Sequence, residues 1–368
     1  MRAADGEFPI LSMTMRDGLV PQSERFKKRV AGNDLSQYRV VRRGQLVVGF
    51  PIDEGVLAFQ NLTDHGIVSP AYGVWDLIDT DGTDPSYLER YLRSESAIKF
   101  YSARLKGSTA RRRSLPNQVF TEMPVPLPSF DEQRRIAAIL EKADTLCAKR
   151  REVISQLESL ATSLFQEMFG NPAGRGRGWG MKKLGELGKV TTGNTPPRID
   201  LTNFGGFIEW IKSDNINPPQ TYLSTAAEGL SESGARKARI VDAGSILMTC
   251  IAGSPGVIGN VALTDRRIAF NQQINAFTPH NGPALYWHAL LRNLKPSVQA
   301  ASTGGMKGLV SKSALEGVLA IDVPVDQQDQ FARKAKFIED MRSRLSGQMK
   351  GLEGLRASLQ HRAFNGGL

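Results

Sequence analysis

Residues 157–169 read LESLATSLFQEMF, and residues 352–364 read LEGLRASLQHRAF. Leu157, Glu158, Leu160, Ser163, Leu164 and Phe169 return as Leu352, Glu353, Leu355, Ser358, Leu359 and Phe364, at one offset and without a gap (352 − 157 = 195). An ungapped internal repeat of this kind predicts two copies of one folding unit, each closing with the same element. Any fold proposed for the chain has to be built twice.

The repeated element reads as a long helix. Pro124, Pro126 and Pro128 predict an extended entry, because proline disfavours helix in the residue before it. Ser129 or Asp131 is the expected cap. Between Ile136 and Met168 the apolar residues step by four and three alternately, with only Arg150 polar. Ile139, Leu146, Val153 and Leu160 widen that face beyond a two-stranded stripe. The same seam runs from Phe331 to Ala363 in the second copy. Gly347, Gly351 and Gly354 lower its helix propensity by ~1 kcal/mol each, and close helix packing is the expected reason for them. Two such helices are expected to pair antiparallel and bury both seams, with a globular unit at each end of a rod and a pseudo-twofold relation between the copies.

The remaining segments then sort themselves. Residues 1–125 form a first globular domain, with short strands at 46–50 and 72–78 and a helix behind Pro85. Residues 126–170 are the first spacer helix, and 171–180, rich in glycine and arginine, are a linker. Residues 181–322 form the second domain, with strands at 245–250 and 274–277 and a helix behind Pro283; residues 323–368 are the second spacer helix. The fold class is α+β: two α/β domains separated by two long antiparallel coiled-coil helices. Cys147 and Cys250 sit on apolar runs and read as small core residues in a reducing compartment.

Lys and Arg exceed Asp and Glu by 47 to 37, a net charge of +10. Such an excess favours an anionic partner. No apolar run approaches the ~20 residues of a membrane span. Catalytic signatures are missing. Asn217-Pro218-Pro219-Gln220 resembles the motif with which amino-methyltransferases hold a flipped base, but Gln220 stands where the aromatic should be, and the segment reads as a turn. No phosphate-binding glycine loop occurs, and His65, His280, His288 and His361 lack metal spacing. The nucleic-acid candidates are the basic loop with Lys106, Ser108, Thr109, Arg111, Arg112 and Arg113, and its counterpart with Thr303 and Lys307 in the second copy. Arg42 and Arg43 add charge, and Lys212, Ser213 and Asn215 offer base- or phosphate-pairing groups.

Several motifs together resemble the specificity subunits of type I restriction–modification enzymes. They are the run from Pro126-Leu127-Pro128 through Asp131-Glu132-Gln133 to Ile136-Ala137; Phe169-Gly170-Asn171-Pro172 with Trp179 and Leu184-Gly185-Glu186-Leu187; and Thr192-Gly193-Asn194-Thr195-Pro196 followed by Phe204-Gly205-Gly206. The resemblance spans essentially the whole chain. It implies two target recognition domains that each read half of a split DNA sequence. It also implies two modification subunits docked on the long helices, through Gln133, Ile139, Leu146, Val153, Leu160 and Gln328, and restriction subunits beyond them. The chain itself would be a non-catalytic cytoplasmic subunit without cofactor or metal. S-adenosylmethionine, Mg and ATP would belong to the partners. Two departures stand out. The motif opening the second domain at Trp179 has no counterpart in the first copy, so the first domain is expected to be truncated or a shorter variant. In the second helix entry Gln327 precedes Gln328 where Glu132 precedes Gln133. The rival reading is a coiled-coil scaffold whose globular domains bind protein.

Overall fold

The computed structural model describes residues 8–15, 18–25, 35–105, 115–174, 176–303 and 308–368. Two 40-residue helices dominate it, Phe130–Phe169 and Val325–Phe364. Their bounds differ by the repeat offset at both ends (325 − 130 = 364 − 169 = 195). Ser129 caps the first, since Gln133 N donates to its carbonyl and Glu132 N to its hydroxyl. Two compact units divide the chain, one of residues 1–149 with 349–368 and one of residues 150–348. Each long helix contributes one half to each unit.

In the first unit, strand Leu46–Val48 pairs on one side with Leu57–Phe59 and on the other with Gly73–Trp75, all antiparallel. Helix Pro85–Leu92 follows, capped by Asp84, whose carboxylate accepts from Tyr87 N at 2.8 Å. Tyr87 and Tyr91 donate their hydroxyls to the carbonyls of Pro126 and Pro124, which fixes the proline-rich entry of the long helix. Ile136, Ala137 and Leu140 then bury against Tyr87 and Ala363, with Leu359 and Phe364 beside them. Further along, Arg356 pairs Asp144 at 3.2 Å. Numbers rise on one helix as they fall on the other, so the halves in this unit run antiparallel.

The second unit repeats this plan with additions. Strand Ile246–Thr249 lies between Val261–Leu263 and Ile274–Pro279, and Gly188–Thr192 extends the sheet to four strands. A second four-stranded sheet holds Phe204–Ile211 parallel to Ile268–Phe270. Helix Ala284–Asn293 starts behind Pro283. Phe165 and Phe169 of the first long helix meet Tyr286 and Phe331 with ring centroids 5.1–6.1 Å apart, all four essentially without exposure. Arg150, the polar break in the seam, donates to Gln348 Oε1 at 2.7 Å. The halves in this unit are antiparallel as well. Asn217–Gln220 is a turn, closed by Gln220 N on Asn217 O.

Two expectations need correction. The seam is buried at Ile136, Leu140, Cys147, Met349 and Ala363 but only half-buried at Leu157 and Leu352. Gly347, Gly351 and Gly354 do not lie at a close helix contact: a Cβ at any of them would meet nothing within 4 Å. They sit on an open face. Cys147 and Cys250 are buried and unbridged, and burial pushes the Cys250 thiol up to about 11. His288 is a core residue held neutral, its pKa lowered to about 3 by burial and then by Arg292 and Arg342.

Candidate nucleic-acid interface

Polar side chains of the second unit gather where two parallel strands end. Strands Phe204–Ile211 and Ile268–Phe270 run side by side, with Ile211 opposite Phe270, so Lys212-Ser213 and Asn271-Gln272-Gln273 emerge together. The carboxyl ends of parallel strands are where such sheets expose loop side chains to ligands. Thr192-Gly193-Asn194-Thr195 crosses this end. Gly193 is required there, because a Cβ would stand 2.1 Å from the Asn271 carbonyl. Asn194 locks the crossing: its amide donates to Lys237 O at 2.8 Å and its Oδ1 accepts from Arg239 N. Thr195 donates to the Gln272 side-chain oxygen, which leaves the exposed Gln272 NH2 free for an acceptor. Ser213 Oγ and the Asn271 amide both donate to Gln273 Oε1, at 3.3 and 3.0 Å.

Charge lies beside this array. Lys212 Nζ is 2.7 Å from Glu228 and Arg198 is 3.3 Å from the other oxygen of the same carboxylate. Both cations stand over the Trp210 ring, 5.2 and 5.3 Å from its centroid. The Lys212 hydrogen bond holds the Glu228 carboxyl below its usual range. In the first unit, Arg42 pairs Asp76 and Arg43 pairs Asp64, with side chains more than half exposed. Exposed pairs of this kind contribute little to stability, so the guanidinium groups remain available for exchange.

The other expected contacts distribute unevenly. Lys106, Ser108, Thr109, Arg111, Arg112, Arg113 and Lys307 lie outside the described residues. Thr303 is exposed and bridges to Leu309 through N–H to O at 2.9 Å. Asn215 is a correction: it is buried and structural, its Oδ1 taking Lys212 N and its amide donating to Ser224 Oγ and Thr225 O. Arg198, Thr195, Gln272 and Glu228 were not anticipated. The Thr-Gly-Asn-Thr-Pro run was the available signal for Thr195, and nothing local marked the others.

On the long helices, Leu146, Val153 and Leu160 are 56%, 42% and 51% exposed, whereas Ile139 is half-buried. Gln133 and Gln328 are a second correction, for both are buried within their own units. Gln133 donates to Gly82 O and Pro128 O, each at 2.9 Å, and accepts from Asp84 N. Gln328 donates to Val323 O at 2.8 Å, the repeat counterpart of Pro128. Gln133 ties its long helix to the globular part through Gly82 and Asp84, whereas Gln328 bonds back to its own helix entry, and neither amide is presented outward. Among the described residues no group of His, Cys, Asp or Glu is placed to hold a metal ion.

Comparison with known proteins meets this geometry. Residues 176–344 match the type I restriction modification DNA specificity domain. The chain is 32% identical over 105 residues to the type I restriction enzyme HindI specificity subunit of Haemophilus influenzae, covering 28% of this chain and 22% of that protein. It is 19% identical to the putative type I restriction enzyme MjaX specificity subunit of Methanocaldococcus jannaschii, covering 69% of this chain and 60% of that one. It thus spans less than two thirds of either relative. The crystal structure of a type I restriction–modification S subunit from M. genitalium superposes with a TM-score of 0.57 over 99% of this chain and 90% of that one, at 12% identity. That likeness establishes the fold.

Proposed function

We propose that this chain, which carries a type I restriction modification DNA specificity domain over residues 176–344, is the DNA-reading subunit of a type I restriction–modification enzyme. The observation that carries the reading is the duplication. Each unit sets sheets and a proline-led helix beside the entry of one 40-residue helix, and each entry buries a glutamine at the same repeat position, Gln133 in one and Gln328 in the other. A reader built twice suits a split target, with half-site centres about one helical turn apart, or roughly 10–10.5 base pairs. The polar strand ends and the basic balance supply hydrogen-bonding and electrostatic contact to duplex DNA.

The exposed apolar rows on the long helices suit docking of two modification subunits, with restriction subunits beyond them. In this reading the chain does no chemistry and holds no cofactor. S-adenosylmethionine, Mg and ATP act on the partners, in the cytoplasm. Among the described residues no helix is long and apolar enough to cross a membrane.

The test is duplex binding by the chain assembled with its modification subunits, measured across salt. A steep salt dependence with a surviving preference for one bipartite sequence is expected. Binding that loses all sequence preference supports the scaffold reading instead. Binding of S-adenosylmethionine by the chain alone would point to a methyltransferase.

A further inference from the structure

We propose that Arg198 and Lys212 form a subsite for a backbone phosphate of duplex DNA, occupied in the free protein by Glu228 as an exchangeable counter-anion. This deepens the DNA-reading function proposed above and rests on it.

The arrangement has three parts. Two cations share one carboxylate, Lys212 on Oε1 at 2.7 Å and Arg198 on Oε2 at 3.3 Å. A single negative charge therefore faces two positive ones, and the cluster keeps a surplus of one. The cations are held in place by something other than Glu228. Both stand over the ring of Trp210, which is 2% exposed and donates Nε1–H to Asn194 O, so the platform does not move when the carboxylate leaves. Apart from these two cations, Glu228 is anchored among the described residues through its backbone, where its carbonyl accepts from Trp210 N at 3.1 Å. Its side chain is 41% exposed.

Exposed ion pairs contribute only ~0–1 kcal/mol, so exchange of one anion for another is cheap. A phosphodiester offers two non-bridging oxygens in the bidentate manner of a carboxylate, and Arg and Lys pair either. The position favours DNA over an acidic protein surface. Lys212 leads directly into Ser213 at the strand ends, beside Gln272 and Gln273, whose side chains are suited to base edges and sugar–phosphate oxygens.

The exchange makes Glu228 a brake on affinity. Displacing it costs part of what the phosphate gains, for every sequence alike. Removing its charge should therefore raise affinity without altering which bases are read.

The experiment measures binding of fluorescent cognate and scrambled duplexes to the chain assembled with its modification subunits, over a range of KCl. Arg198→Ala and Lys212→Ala should each weaken both duplexes by the same factor and reduce the salt slope by about 1. Glu228→Gln should tighten both several-fold. In the Arg198→Ala/Lys212→Ala background it should give no gain. Glu232→Gln, which frees the exposed helix residue Arg236 from its ion pair and adds the same charge, is the control and should change little. Unchanged circular dichroism and melting would establish that each variant is folded. The proposal is overturned if Glu228→Gln matches Glu232→Gln, if its gain survives in the double variant, or if the alanine variants leave affinity and slope intact. That last outcome would assign the cations to an acidic protein partner. Absence of any sequence-preferring binding by the wild-type assembly would instead sink the DNA-reading function.

Discussion

Replacing Gly347, Gly351 and Gly354 with alanine should stabilise this protein. All three lie inside the helix Val325–Phe364, and the space where a Cβ would go holds nothing within 4 Å. None has a positive φ. The substitution therefore introduces neither clash nor strain, and the helix-propensity difference of ~0.8–1.0 kcal/mol per site should appear almost undiluted. Together the three changes amount to ~2–3 kcal/mol. In urea, with a slope of ~1–3 kcal/mol per molar, that moves a midpoint by roughly 1 M. Gly351 and Gly354 belong to the unit of residues 1–149 and 349–368, and Gly347 to the other. If the units melt separately, the first two should act on one transition and the third on the second. Far-ultraviolet circular dichroism during urea unfolding reads this directly. A midpoint that stays put, or falls, would refute the claim that these glycines face open space. A second readout separates folding from assembly. If a modification subunit seats its own helix against the glycine face, the triple variant should unfold later yet bind that subunit more weakly.

Four further outcomes follow from the same contacts. Phe169→Ala should destabilise by ~3–5 kcal/mol, because the ring is fully buried among Phe165, Tyr286 and Phe331; a loss under 1 kcal/mol in denaturant would contradict that packing. His288 is neutral in the fold, with a pKa near 3 against 6.5 for the free side chain, so below pH 6.5 the unfolded chain binds the extra proton and stability falls. The slope approaches roughly 1.4 kcal/mol per pH unit and persists down to pH 3, and His288→Asn should flatten it in pH-resolved unfolding. Leu160→Lys with Leu355→Lys should leave the melting temperature of the isolated chain within a few degrees, since both leucines are about half exposed, while reducing capture of modification subunits in a pull-down. If each unit reads one half-site, as proposed above, Arg42→Ala with Arg43→Ala in the first unit should weaken binding without changing the bases read by the second; a change in those bases, by methylation mapping, would rule out two independent readers.

The long helices were legible because their signal is redundant. A four–three apolar rhythm sustained over nine turns, a proline entry and a serine cap all agree, and the copies corroborate each other. The sheets were legible only as short apolar runs: 46–50 narrowed to Leu46–Val48 and 245–250 to Ile246–Thr249, although Gly49, Ser245 and Cys250 still bond to the neighbouring segments at the ends of those ladders. Site residues were harder, for reasons visible at Gln133 and Asn215. A polar residue at a helix start or in a loop looks available to a partner when only its neighbours in sequence are known. Gln133 is instead consumed by Gly82, Asp84 and Pro128, and the Asn215 amide by Ser224 and Thr225. Those partners, backbone groups and the Ser224 hydroxyl, come within reach only after the chain folds. Arg198 is the opposite case. Nothing near it in sequence distinguishes it, and its importance arises from sharing Glu228 with Lys212 across a strand pairing.

The two copies have diverged unevenly, and where they have not is informative. The proline-led helices begin at Pro85 and Ala284, the latter behind Pro283, so their prolines are 198 apart (283 − 85), while both long helices keep 195 at each end. Insertions have thus been accepted in the globular parts and not in the helices. One added residue would rotate everything after it by about 100° and swing the seam off its partner, so packing within each unit accounts for a fixed register. It does not account for the outer face. Leu146 and Leu160 are exposed, and at the same offset Met341 and Leu355 are exposed too, at 39% and 54%. Among the described residues none of those four side chains belongs to a buried apolar cluster, and water favours a polar one there. Their neighbours in the same row have changed, Val153 to Gln348 and Ile139 to Lys334. An apolar pair kept in register on the outside of both helices, amid positions that have turned polar, is what two equivalent docking sites for one kind of subunit would leave behind.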